Sequence, residues 1–183
     1  GCFFPKSKSI EKNFDPIPLH HRGPDDFQSY ESNFAKINFY RLKILGGPHG
    51  TQPMISENKN WLMVFNGCIY NYIELAQEIG RPDLIRKGDS RVLLELLSLK
   101  GFSYLKKLNG MFSIVLINIK KKKIYLIRDR FGIKPLYFHI NNNAIYFSSE
   151  IKSISNADKL KIDAEQINKF LESELYPETP TTF

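Results

Sequence analysis

Three short segments carry residue types that could do chemistry. The first, His20-His21-Arg22-Gly23-Pro24-Asp25-Asp26, sets two imidazoles beside two carboxylates. Metal sites space their ligands, and adjacent side chains on an extended chain diverge, so this segment reads as a hydrogen-bonded loop and not as a metal centre. The second, Phe65-Asn66-Gly67-Cys68-Ile69-Tyr70-Asn71-Tyr72, follows an apolar run. A glycine lets a backbone N–H approach a ligand and an asparagine adds a second donor, which together could hold an oxyanion. The same Asn66-Gly67 pair also reads as a plain turn. No histidine stands near Cys68 in sequence to activate it as a nucleophile. The third, Arg128-Asp129-Arg130-Phe131-Gly132-Ile133-Lys134-Pro135-Leu136-Tyr137, sets alternating charges beside apolar positions and reads as an ion-pair network that fixes a loop.

Positioning these segments falls to a chain of 183 residues, long enough for one domain whose core needs neither disulfides nor metals. With 42% hydrophobic and 25% charged residues it has an ordinary globular composition, which argues against a disordered or collagen-like chain. No apolar run approaches the ~20 residues that span a bilayer, and GCFFPKSKSI lacks the apolar stretch of a secretory signal. Two cysteines, Cys2 and Cys68, are too few for a disulfide scaffold, so a cytoplasmic setting is expected. The net charge of +7 includes one dense run, Lys120 to Lys123, between two strand-like segments. Without interleaved aromatics that run is a solvated turn, and neither nucleic acid nor a membrane is expected as partner.

Alternation predicts a strand at Ile37 to Leu45, and a short apolar run predicts one at Trp61 to Phe65, ended by Asn66-Gly67; MFSIVLINI with IYLIRD and LYFHI with AIYFSS read as two hairpins. The second hairpin would turn at Asn141-Asn142-Asn143. Helices are expected at Tyr72 to Ile79, on a face of Ile73, Ala76 and Ile79, and at Ser90 to Leu99, on a stripe of Val92, Leu93, Leu96, Leu97 and Leu99. Asp89 or Ser90 would cap the latter. A short helix should follow at Tyr104 to Leu108, and an amphipathic one at Asp163 to Leu175 with Ile167, Phe170 and Leu171 on one side. Lys6 to Pro18 is linker-like. Hairpins make antiparallel sheets and amphipathic helices need a sheet to cover, so the fold class is α+β.

Taken together, HRGPDD, FNGCIYNY and RDRFGIKPLY resemble, in order and separation, the glutamine amidotransferase domain of the asparagine synthetase family. QPM at Gln52 to Met54, LNGMFS at Leu108 to Ser113, SSEIKS at Ser148 to Ser153 and the closing ELYPETPTTF extend the resemblance. It implies a class II, N-terminal-nucleophile αββα sandwich that hydrolyses glutamine to glutamate and ammonia. The domain would occupy 1–175, with 176–183 starting the connection to an ATP-dependent synthetase domain that activates aspartate. By motif, Arg41 would pair with the glutamine α-carboxylate, and Leu42, Lys43, Ile44 and Leu45 would line the same strand. Asn66 and Gly67 would form the oxyanion hole, and Asp89 would hold the α-ammonium. No metal or cofactor is implied for this domain; ATP and magnesium would belong to the synthetase domain. A homodimer is compatible with the family.

Two departures stand out. The family opens Cys-Gly-Ile-x-Gly, with the cysteine as terminal nucleophile and its own amine as base. Gly1 aligns with the last glycine of that pattern, which makes Cys2 a strand residue and places the nucleophile upstream. The competing register makes Cys2 itself the nucleophile. The second departure is Cys68, where the family has a glutamate beside the substrate amine; a thiol brings no charge there, so weaker glutamine binding is expected. A domain of this fold with glutamine chemistry lost, acting as a binding or regulatory module, is the alternative reading.

Overall fold

The computed structural model describes residues 1–3, 19–43, 47–140, 144–155 and 164–173. Among these residues nine strands form two sheets in which every ladder is antiparallel. The first contains β1 (Cys2–Phe3), β2 (Asp26–Glu31), β3 (Ala35–Arg41), β8 (Tyr137–Ile140) and β9 (Ile145–Ser148), in the order β2-β3-β1-β9-β8. The second runs β4-β5-β6-β7, from β4 (Met54–Ile55), β5 (Trp61–Ile69), β6 (Gly110–Asn118) and β7 (Lys123–Arg128).

The period of two along β5 and β6 divides the core into two layers. Met63, Phe65, Ile69, Phe112, Ile114 and Leu116 face out to α1 (Tyr72–Glu78), α2 (Asp89–Lys100) and the 3-10 turn Pro82–Lys87. Leu62, Val64, Val115 and Ile117 face the other sheet and meet Phe3, Ile37 and Phe147. Toward one end that inter-sheet layer changes character: the inward positions continue as Asn66 and Cys68 on β5, Ser113 on β6 and Arg41 on β3. A short helix, α3 (Ile151–Ser155), packs on β8 and β9. The α4 helix is Ala164–Ser173.

Several expectations shift. The strand predicted to end at Phe65 runs on to Ile69, so Asn66-Gly67 is not a turn. A Cβ on Gly67 would stand 2.1 Å from the Met111 carbonyl oxygen, and one on Gly110 would stand 2.2 Å from that of Cys68. Glycine therefore serves here to bring two strands together, and the chain turns only at Tyr70-Asn71. Of the predicted helix faces, Ile73 and Leu99 are exposed while Leu75 and Leu94 are buried instead. Neither Asp89 nor Ser90 is a cap: Gly88 holds that position at φ 88°, and Asp89 already lies in the helix. The helix expected at Tyr104 to Leu108 is a 3-10 stretch, Phe102–Lys107, and Leu171 of α4 is exposed. Strand β2, with most of its residues exposed, shows no alternation that the sequence could reveal. Hairpins β6-β7 and β8-β9 form as predicted, with Lys122 at φ 48° in the lysine turn. The linker Lys6 to Pro18, the turn Asn141 to Asn143 and the segment 176–183 lie outside the described residues.

Candidate active site

Where the inter-sheet layer turns polar, a cavity of about 430 Å³ opens. One side comes from β3, ending in Arg41 and Leu42; the other comes from β5 at Asn66, Gly67 and Cys68, with Asp89 and Ser90 at the start of α2. Gly1 borders the same space. Arg41 keeps the inward parity of Ala35 and Ile37, so its guanidinium is carried into the layer and is only 6% exposed. Its main chain is fixed too, since the Asp25 N–H donates to the Arg41 carbonyl at 3.0 Å.

Asp89 reaches the cavity from the start of α2, on the side of β5. Its Oδ2 accepts the Ile69 N–H at 3.0 Å and its Oδ1 accepts the Ser90 N–H at 2.8 Å. Burial raises its carboxyl above the usual range, against the opposing pull of these N–H bonds. Burial first, and then the charge of the neighbouring Asp89 carboxylate, push the Cys68 thiol upward. It is therefore held protonated, which is the opposite of what a nucleophile needs.

Arg41, Leu42, Asn66, Gly67, Cys68 and Asp89 are thus brought to one cavity. Lys43 does not line it; its N–H donates to Asp25 Oδ2 at 2.7 Å. Ile44 and Leu45 lie outside the described residues. Cys2 is turned away: Phe3 faces the inter-sheet layer, so its neighbour Cys2 faces the other side of the sheet. Its side chain is fully buried, its thiol donates to the Lys36 carbonyl at 3.6 Å, and burial pushes it up to about 11. Cys2 is thus a strand residue whose thiol lies on the side of the sheet away from the cavity.

The remaining motifs build the surroundings. His21 meets Glu150 at 2.7 Å, and Lys152 lies 2.8 Å from the same carboxylate, so HRGPDD is stapled to SSEIKS. Lys152 and His21 hold Glu150 at about 2. The third segment is not the ion-pair network expected of it. Asp129 accepts backbone N–H groups from Phe112, Phe131, Ile133 and Lys134 at 3.0–3.2 Å. Burial alone would raise its carboxyl, but these four donors outweigh that and hold it at about 2. Arg128 binds the carbonyls of Gly132 and Lys134 in turn. The loop so fixed delivers Lys134 and Leu136 to the cavity wall. Sequence reasoning assigned no role to Lys134 or Gln52; their only signal was membership of a motif.

Two antiparallel sheets with helices outside and a polar cavity between them define an N-terminal-nucleophile-type sandwich. Among solved structures the chain is similar to the Bacillus subtilis glutamine phosphoribosylpyrophosphate amidotransferase, with a TM-score of 0.50 and 20% identity, over 63% of this chain and 28% of that one. This likeness speaks for the fold alone. The family model of the glutamine amidotransferase domain matches residues 5–183, and the chain belongs to that family. It is similar to asparagine synthetase [glutamine-hydrolyzing] 1 of Bacillus subtilis, at 35% identity over 88% of this chain and 26% of the relative. It is likewise similar to asparagine synthetase B of Escherichia coli, at 33% identity over 84% and 29%. The chain thus spans about a quarter of the length of these relatives. No helix among the described residues is long and apolar enough to cross a membrane.

Proposed function

We propose that this domain hydrolyses the side-chain amide of glutamine to glutamate and ammonia, and that the ammonia serves an ATP-dependent synthetase domain acting on aspartate. The observation that carries the reading is the convergence of Arg41, from β3, and Asp89, from the start of α2, on the cavity that also holds Asn66 and Gly67. A guanidinium suits a carboxylate and a carboxylate suits an ammonium, so the pair fits a free α-amino acid. Asn66 and Gly67 then serve as donors to the oxyanion that forms when a nucleophile adds to the amide carbon. That adduct expels ammonia, and water cleaves the resulting thioester to glutamate.

For the nucleophile we propose a terminal cysteine upstream of Gly1. Gly1 pairs with Phe147 and borders the cavity, so residues preceding it would lie beside the same cavity. An α-amine with a pKa near 8 is partly neutral at pH 7 and suits the role of base. We place the synthetase domain, with its ATP and magnesium, beyond a connection that starts at 176–183; the relatives' greater length supports this. No cofactor is assigned to the present domain. A cytoplasmic location and a homodimer complete the proposal.

One observation favours a second reading, that of a regulatory module without glutamine chemistry. The Cys68 thiol engages Asp89 where the family pattern has a second acid. Treating the full-length protein with a glutamine-mimicking electrophile, followed by intact mass and peptide mapping, separates the two. A single adduct upstream of Gly1, prevented by glutamine, supports the glutaminase; no adduct supports the module.

A further inference from the structure

We propose that Gln52 is a positioning residue that aims the Asn66 and Gly67 donors into the cavity, a role that rests on the glutaminase reading above. Strand β4 pairs Met54 with Met63 and Ile55 with Leu62. Continued by two residues, that register brings residue 52 opposite Phe65. There the ladder is completed by a side chain: Gln52 Nε2 donates to the Phe65 carbonyl at 2.9 Å, and the Phe65 N–H donates to Gln52 Oε1 at 2.6 Å. A primary amide offers the same donor and acceptor as a peptide group, so the Gln52 side chain replaces a main-chain partner. It is 6% exposed and borders the cavity.

The consequence lies in the alternation of an antiparallel strand. Successive residues turn their N–H and C=O groups to opposite neighbours, so Phe65, Gly67 and Ile69 share the β5 edge that faces away from β6. Phe112, opposite Gly67, is consistent with this, since its own N–H and C=O both engage Asp129. On the shared edge the Phe65 N–H is held by Gln52 and the Ile69 N–H by Asp89. The Gly67 N–H stands between two anchored neighbours, beside the cavity. Water would satisfy the edge groups of Phe65 equally well, but water would not fix their direction. An oxyanion donor is useful only when its direction is set before charge develops.

The test uses the full-length protein with Gln52→Met, which keeps the length and removes both bonds, and Gln52→Glu, which keeps an acceptor for the Phe65 N–H. The expected result for Gln52→Met is a loss of about 100-fold in kcat for glutamine, at the lower end for removal of one oxyanion donor, with KM changed by less than about threefold. Gln52→Glu should fall between that variant and wild type. Hydrogen exchange should speed up at the amides of 65–69 in Gln52→Met and stay unchanged in α2. Unchanged exchange at 65–69 overturns the positioning role whatever the activity, and so does a rise in KM with kcat intact. A wild-type protein without glutaminase activity overturns the function reading instead, and the exchange result then decides the role of Gln52 by itself.

Discussion

Gly67 lies so close to Met111 that a Cβ on the glycine would stand 2.1 Å from the Met111 carbonyl oxygen. The contact is with backbone, which cannot swing aside as a side chain can. Strand β5 therefore runs past β6 at its present spacing only because position 67 has no side chain. Gly67→Ala should destabilise the domain by about 1–3 kcal/mol, as overpacking does, and should abolish glutamine hydrolysis because the donor is pushed out of place. Thermal unfolding and a glutaminase assay check both parts. An alanine variant with unchanged Tm would show that the strands can part without cost.

Asp129 makes a prediction about pH. Its folded-state value of about 2 lies below the ~3.9 of an aspartate in an unfolded chain. A depressed acid stabilises the fold above the unfolded value, and that contribution is lost as pH falls from about 4 through about 2. Asp129→Asn should lower Tm at neutral pH, since one amide oxygen cannot serve four N–H donors, and should flatten the decline below pH ~4. Glu150, also held at about 2, keeps part of that slope. Unfolding curves over a pH series decide the matter; parallel declines in the two proteins would refute it.

Cys68 sits beside Asp89 without supplying charge. A hydrogen bond to a charged group contributes about 1.5–3 kcal/mol, so Cys68→Glu should lower the glutamine KM by about tenfold or more. Asp89→Asn should raise it, because the ammonium then loses its anion. Steady-state kinetics of the two variants, each compared with wild type, give the sign directly. An unchanged KM in Cys68→Glu removes position 68 from substrate binding.

Cys2 faces away from the cavity, and its removal should leave the chemistry intact. Cys2→Ala is expected to retain glutamine hydrolysis and to give the same adduct with a glutamine-like electrophile. Its cost should appear only in stability, at about 1–2 kcal/mol for a small void at a fully buried position. Loss of the adduct in this variant would restore Cys2 as the nucleophile.

The segments that line the cavity were visible in the sequence, while their local geometry was only partly so. Arg41 lay inside the predicted strand Ile37 to Leu45, whose alternation carries it to the face of Ile37, whereas Asn66 and Cys68 lay beyond the predicted end of theirs at Phe65. Asn66-Gly67 misled because the dipeptide favours turns, whereas here the glycine answers to the approach of β6, a tertiary demand that propensity does not contain. Asp129 looked like one half of an ion pair because charged neighbours suggest each other. Its actual partners are backbone N–H groups, which have no letter in a sequence. Gln52 was hidden for the same reason: its partner is the main chain of Phe65, and only the β4-β5 register brings the two together.

Strand β1 has a consequence for the birth of the protein. It is inserted between β3 and β9, and Gly1 and Phe147, joined by two hydrogen bonds, are 146 residues apart. The sheet of β4 to β7 is drawn from one continuous stretch and can form as it leaves the ribosome, whereas the other sheet must wait for β9. Until then β1 has an empty place beside it, and the cavity lacks its Gly1 wall. A nascent chain thus completes this cavity only after β9 has been translated.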